Sequence, residues 1–137
     1  IKRLFEIEIP EIADGTVEIK SISREAGSRT KVAVLSSNPD VDAVGSCIGP
    51  KQARINSILG NLKGERIDLI KYSEDPAEFV VTSLSPATVH LVEIDREIKN
   101  CKVAVATEQL SLAIGKTGQN VRLAARLTGY RIDIVSE

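Results

Sequence analysis

The sequence predicts an α+β protein built from two tandem copies of one small domain. Each copy reads α-β-β-α-α-β, a three-stranded sheet with helices on one face. Three observations predict it. Ile48-Gly49-Pro50-Lys51 and Ile114-Gly115-Lys116-Thr117 each open an apolar-periodic helix. Both helices run into a glycine followed by Arg-Ile-Asp, at Gly64-Glu65-Arg66-Ile67-Asp68 and Gly129-Tyr130-Arg131-Ile132-Asp133. Upstream, Lys31-Val32-Ala33-Val34 recurs as Lys102-Val103-Ala104-Val105. Gly49 and Gly115 lie 66 residues apart, whereas Val32 and Val103 lie 71 apart. The first copy therefore holds about five extra residues near Ser37-Asn38-Pro39-Asp40, a surface-loop composition. A repeat of this period marks duplicated units, with a boundary near Tyr72-Ser73-Glu74 and domains over 1–72 and 73–137.

Each element has a local reason. Leu4 and Phe5 share one face of a helix over Ile1 to Ile9, which stops at Pro10. Asp14-Gly15 is a turn. Thr16 to Lys20 alternates as a strand does, and Glu25-Ala26-Gly27-Ser28 turns the chain back into Thr30 to Val34. The apolar run Val41 to Ile48 reaches the first glycine loop, and Pro50 suits a first helical turn. Ile55, Ile58, Leu59 and Leu62 follow at helical spacing, Gly64 closes the helix, and Ile67 to Ile70 is a strand.

In the second copy, Asp75-Pro76-Ala77-Glu78 resembles a capping box ahead of inward-facing Phe79, Val80 and Leu84, and Pro86 ends the helix. Strands follow over Thr88 to Asp95 and Cys101 to Ala106, joined through Lys99-Asn100. A short helix, Gln109 to Ile114, enters the second loop. Val121, Ala124, Ala125 and Leu127 build the next helix, Gly129 caps it, and Arg131 to Val135 is the last strand. Within each copy the strand order predicts one antiparallel hairpin, with the third strand parallel or antiparallel to it. The linker is short, so the two copies are expected to dock rigidly.

Composition narrows the function. A chain of 137 residues holds one ordinary domain or two minimal ones. Its formal charge is −1, so a polyanion partner must rest on a local patch. No apolar run is long enough to cross a bilayer, and no basic-then-apolar leader is present. Starting at Ile1 suggests a piece of a longer protein. Tryptophan is absent and aromatics are 3%, which leaves no aromatic stacking platform. Cys47 aligns with Ala113 and reads as a small buried side chain. With His90 the single histidine and no Cys-x-x-Cys, no metal site or other cofactor is expected. His90 reads as a solvent-facing strand residue. A reduced, cytoplasmic setting follows from the cysteine usage.

The glycine loops are the candidate site. Glycine lets backbones approach closely, and the helix that follows aims unpaired N–H groups and a positive dipole end outward, which suits phosphate. The second copy meets the pattern with Gly115-Lys116-Thr117-Gly118. From Gln109 to Arg131 there are four bases (Lys116, Arg122, Arg126, Arg131) and no acid. From Ala43 to Gly64 there are Lys51, Arg54 and Lys63, again without an acid. Such patches suit a polyanion. Arg66-Ile67-Asp68 and its twin read as charges at a strand edge around a buried Ile. Gly115-Lys116-Thr117 ends like a P-loop, but position 110 is Leu where that motif needs glycine, and a helix precedes it where a strand should. With no catalytic pairing apparent, no enzyme is expected. A protein-interaction scaffold without strong RNA affinity is the alternative.

The residues resemble a known family. The Gly-x-x-Gly loop between two helices, in this element order, resembles a type II KH domain in tandem. The run Gln109 to Gly129 is very similar to the second KH domain of the NusA family of bacterial transcription factors. Ser73 to Phe79 and Leu84-Ser85-Pro86-Ala87 match the junction between that family's KH domains, and Asp14 to Lys20 matches the start of the first. The resemblance covers essentially the whole chain. It implies a single-stranded RNA-binding module of a transcription elongation factor that regulates pausing, intrinsic termination and antitermination. It also implies RNA polymerase as a partner, engaged mainly through a polymerase-binding domain and an S1 domain upstream of Ile1.

On that reading Gly115, Lys116, Thr117 and Gly118 contact the RNA backbone, with Asn120 and Arg122 as further contacts. Gly49, Pro50, Lys51, Gln52 and Arg54 do the same in the first copy, along a continuous RNA track over both loops. Ile114 and Ile132 are candidates for an apolar floor under the bases, with a core role equally open to Ile132. One position departs from the family pattern Gly-Pro-x-Gly, because Gln52 replaces the second glycine. A side chain there is expected to crowd the loop and weaken its grip unless Gln52 itself contacts RNA. Gln52→Gly is expected to tighten binding and cost a little stability at the helix start.

Overall fold

The computed structural model describes residues 1–136. Contacts divide the chain into two compact units, Ile1–Tyr72 and the part from Ser73 onward. Each has its own three-stranded sheet, and among the described residues no sheet runs through both.

In the first unit, helix α1 (Lys2–Glu8) buries Phe5 completely. Ile9 breaks the helix in an extended conformation, and Pro10 then opens a second short helix, α2 (Pro10–Ala13). The proline therefore begins a helix as well as ending one, since its missing N–H and fixed φ suit a first helical position. Strands β1 (Val17–Glu25) and β2 (Arg29–Ser36) form an antiparallel hairpin with a register shift between Ile19 and Ser21. Helices α3 (Ala43–Ile48) and α4 (Ala53–Leu62) carry the chain across the sheet, and β3 (Arg66–Lys71) joins β2 in parallel. A parallel partner needs such a crossover, which the two helices supply. Phe5, Ile9, Val17, Val32, Val34, Cys47 and Ile58 form the core.

The second unit repeats the plan. It contains α5 (Pro76–Ser83), the antiparallel pair β4 (Leu91–Asp95) and β5 (Asn100–Val105), α6 (Leu110–Ile114), α7 (Gln119–Thr128) and β6 (Arg131–Ser136), parallel to β5. Asp75 caps α5 by accepting from the Ala77 amide at 3.3 Å. The other half of the capping box is rewired. Glu78 accepts from the Ser73 hydroxyl at 3.1 Å, and that same hydroxyl oxygen accepts from the Asp75 amide at 3.1 Å. Val80, Leu84, Val103, Val105, Ala113 and Ala124 make the core. Leu123 is fully buried as well, and the helical pattern read from the sequence had omitted it.

The duplicated Arg-Ile-Asp ending does two different jobs. In the first unit the Asp68 side chain is 9% exposed and takes Arg29 at 2.6 Å and Lys31 at 2.9 Å. Burial drags the Lys31 ammonium down to about 8 despite that partner. In the second unit Asp133 is 62% exposed, with Arg131 4.0 Å away. Beside the first sheet, Glu65 accepts from Arg24 at 2.9 Å, from the Gly27 amide at 2.9 Å and from the Thr30 hydroxyl. Burial would push this carboxyl up, but the hydrogen bonds outweigh it and hold the group at about 2. Both cysteines are buried free thiols, raised by burial to about 11. Among the described residues no helix is long and apolar enough to cross a membrane.

Candidate nucleic-acid interface

Both loops take the same backbone path. Gly49 (φ 74°, ψ 172°) and Gly115 (φ 82°, ψ 168°) leave the preceding helices in a conformation open essentially to glycine alone. The next residue is helical, and the third and fourth are left-handed. These are Lys51 (φ 54°) and Gln52 (φ 63°) in one copy, and Thr117 (φ 56°) and Gly118 (φ 78°) in the other. Each loop is closed by its fourth amide donating to the first glycine's carbonyl at 3.1 Å. Pro50 thus sits in the loop's own single turn, and α4 begins only at Ala53.

The two glycines of the motif do different things. A Cβ on Gly115 would lie 2.6 Å from the Asn120 amide nitrogen, and one on Gly49 would lie 2.7 Å from Arg54 Cγ. The first glycine is therefore needed for close packing on the next helix. A Cβ on Gly118 would meet only Arg122, at 3.8 Å. The second glycine answers to backbone conformation, and space is open around it. By analogy with Gly118, a side chain at Gln52 has open space on the protein side. Its cost lies in a left-handed φ.

Two predicted contact residues turn out to brace the loops. Asn120 is fully buried, and its Nδ2 donates to the carbonyls of Leu84 at 3.0 Å and Ala113 at 2.9 Å. Its assignment as an RNA contact is corrected accordingly: the side chain points inward and ties α7 to α5 and α6. Arg54 stands at the matching place, 27% exposed, with Nη1 donating to Glu11 at 2.7 Å and to the Ser46 carbonyl at 2.9 Å. Its charge is matched by Glu11, so it contributes little to an anion site. The repeat alignment pairs these two residues, and that was the one signal in the sequence for a shared bracing role. Arg122 donates to the Thr117 carbonyl at 3.0 Å, fixing the crest of the loop while bringing charge to it.

The surroundings of the loops differ. Lys116 and Thr117 are exposed, and neither α4 nor α7 has a side-chain N-cap; the first amide of each helix donates instead to a loop carbonyl, Ala53 to Pro50 and Gln119 to Lys116. The acid-free stretch of the first copy is acid-free only along the chain. Folding brings Glu11, Asp40 and Asp42 to line one groove with Gly49, Pro50 and Arg54. Ile114 is half-buried at the end of α6, and Ile132 is buried in the second core. Among the described residues no group of three or more His, Cys, Asp or Glu is placed to hold a metal ion.

A hairpin, a parallel third strand and a Gly-x-x-Gly turn between two helices define a KH-type domain, present here twice, with Gln52 in place of the second glycine in the first copy. Comparison with known proteins is specific. The model of the NusA-like first KH domain matches residues 1–72 and that of the NusA-like second KH domain matches residues 76–137, and the chain belongs to this family. It is 59% identical over 137 residues to the transcription termination/antitermination protein NusA of Bacillus subtilis, covering all of this chain and 37% of that one. It is 58% identical to the Halalkalibacterium halodurans protein of that name, covering 36% of it. The Thermus thermophilus protein is 53% identical over 132 residues, which is 96% of this chain and 34% of that protein. The chain thus spans about a third of the length of these relatives. The crystal structure of APE1850 shares the fold, with a TM-score of 0.64 at 23% identity over 98% of this chain and 96% of that one.

Proposed function

We propose that this chain is a single-stranded RNA-binding module of a bacterial transcription factor acting in pausing, termination and antitermination. The observation that carries the reading is the second loop. There an uncapped ten-residue helix, the exposed Lys116 and a stretch without acids converge on one exposed turn. A phosphate at this exposed turn gains from the positive end of α7 and meets the mobile ammonium of Lys116. Gly115 lets the turn lie flat on α7, and Gly118 supplies its left-handed step. Loops of this class hold about four nucleotides. RNA polymerase would be engaged through parts of the longer relatives outside this stretch.

Binding of a labelled single-stranded RNA, followed by fluorescence anisotropy across a salt series, tests this. Affinity should fall as salt rises, because phosphate contacts release counterions. Replacing Lys116 and Thr117 by Asp should remove it while leaving the melting curve in place. Unchanged affinity in that double variant would sink the assignment of this loop, and a chain that fails to bind the RNA at all would favour the protein-scaffold alternative.

A further inference from the structure

We propose that Glu11 is a brake on the first loop: its carboxylate occupies Arg54, and RNA must displace it before the first copy grips the backbone as the second does. This rests on the RNA reading above and adds to it how the first loop is held in check. Arg54 and Asn120 hold matching places in the two copies. Both reach from the first turn of a long helix to the segment ahead of the first strand. Asn120 meets the Leu84 carbonyl at 3.0 Å and the Ala113 carbonyl at 2.9 Å, fully buried and without charge. Arg54 meets the Glu11 carboxylate at 2.7 Å and the Ser46 carbonyl at 2.9 Å, with the two charged side chains 27% and 30% exposed. The second copy shows that a neutral amide is enough to brace such a loop. A cation in the first copy is therefore more than the brace requires, and its acid partner comes from α2, outside the loop.

The pair leaves the guanidinium partly used. Its Nη1 makes both hydrogen bonds, and Nε and Nη2 have no partner among the described residues. Arg54 and Glu11 line one open groove with Gly49 and Pro50, so the pair stands beside the loop and not in the core. A guanidinium fork matches a phosphate bidentately. While the pair is closed, the carboxylate offsets that charge and repels the same phosphate. An ion pair open to solvent is weak, which lets a phosphate compete with the carboxylate for Arg54. In the second copy nothing has to open, because Lys116 is exposed and has no acid partner among the described residues.

Glu11→Gln keeps an oxygen for Arg54 and removes the charge, so it releases the brake and spares the brace. In anisotropy titrations with a single-stranded RNA about eight nucleotides long, enough for two such loops, this variant should bind about three- to five-fold more tightly than wild type. Its salt slope should steepen by about one, because one more phosphate is neutralised. Arg54→Met keeps the stem that packs beneath Gly49 and removes the charge. Adding Glu11→Gln to it should change neither affinity nor slope, which separates the brake from a general loss of negative charge. Asp42→Asn, in the same groove, is a second control that leaves Arg54 intact: it should shift affinity less than Glu11→Gln and leave the slope in place. Melting curves show which variants are folded, and if Arg54→Met is not, the Asp42→Asn comparison decides. Wild-type affinity and slope in Glu11→Gln, a gain that persists without Arg54, or an equal gain in Asp42→Asn overturns the proposal and leaves the RNA reading standing. A wild-type chain that binds no RNA sinks that reading and this proposal with it.

Discussion

Gln52→Gly separates what a sequence suggests about a loop from what its backbone requires. Read as the start of a helix, position 52 should lose stability on becoming glycine. In the structure it lies at φ 63°, ψ 22° and contributes no capping bond, so no side-chain interaction at the helix end is removed. A residue with a Cβ costs about 1–2 kcal/mol in the left-handed region. Glycine returns that amount but gives up about 0.4–1 kcal/mol through its more flexible unfolded chain. The net is a gain of about 0.5–1 kcal/mol. For a domain of this size that raises the melting temperature by roughly 2–8 °C, at about 4–8 °C per kcal/mol. Thermal and urea unfolding of the two proteins side by side measure it, and Gly118→Gln should show the mirror-image loss. A lower midpoint for Gln52→Gly would refute the conformational argument.

Other substitutions probe the remaining parts. Gly115→Ala should cost about 3 kcal/mol or more, since its Cβ meets the Asn120 backbone nitrogen, whereas Gly118→Ala should cost only about 1 kcal/mol. Urea midpoints that rank the two alike would contradict this. Asn120→Ala should destabilise the second unit by about 2–3 kcal/mol by leaving the Leu84 and Ala113 carbonyls buried without partners, again read from urea midpoints. Glu65→Gln should cost about 2 kcal/mol at neutral pH. The carboxyl is depressed from 4.5 to about 2, so its stabilisation is present above the ordinary value and fades as pH falls toward the lower one. The stability curves of wild type and variant should therefore converge as the medium becomes acid, and parallel curves would contradict the assignment.

Most of the fold was legible because its signals are local. Alternation along Thr16 to Lys20, the turn at Gly27 and the glycine ending each long helix act within a few residues, and the repeat let each copy check the other. The direction of the third strand was open because it depends on a crossover, which no short window contains. Pro10 was read as an ending because a helix shorter than two turns leaves almost no periodicity. At the site, the glycines were recognisable and their separate duties were not. Packing against Asn120 and a left-handed φ both require glycine, and the letter alone does not distinguish them. Asn120 and Arg54 misled for a related reason: polar residues on a first turn look available until the carbonyls and carboxylate they serve are placed in space. Glu11 precedes Arg54 by 43 residues. Counting acids along the flanks of the loop could not have found it.

The central claim is that exposed turns, centred on Gly115 to Gly118, hold single-stranded RNA by its backbone. Titrating RNA into the isotope-labelled chain while following backbone amide resonances tests it most directly. The account predicts that the amides from Gly115 to Arg122 shift furthest, that those of Gly49 to Ala53 follow, and that both sets of shifts shrink as salt is added. Shifts concentrated on the strand surface around Leu91 and Val135, or none at these turns at saturating RNA, would contradict it.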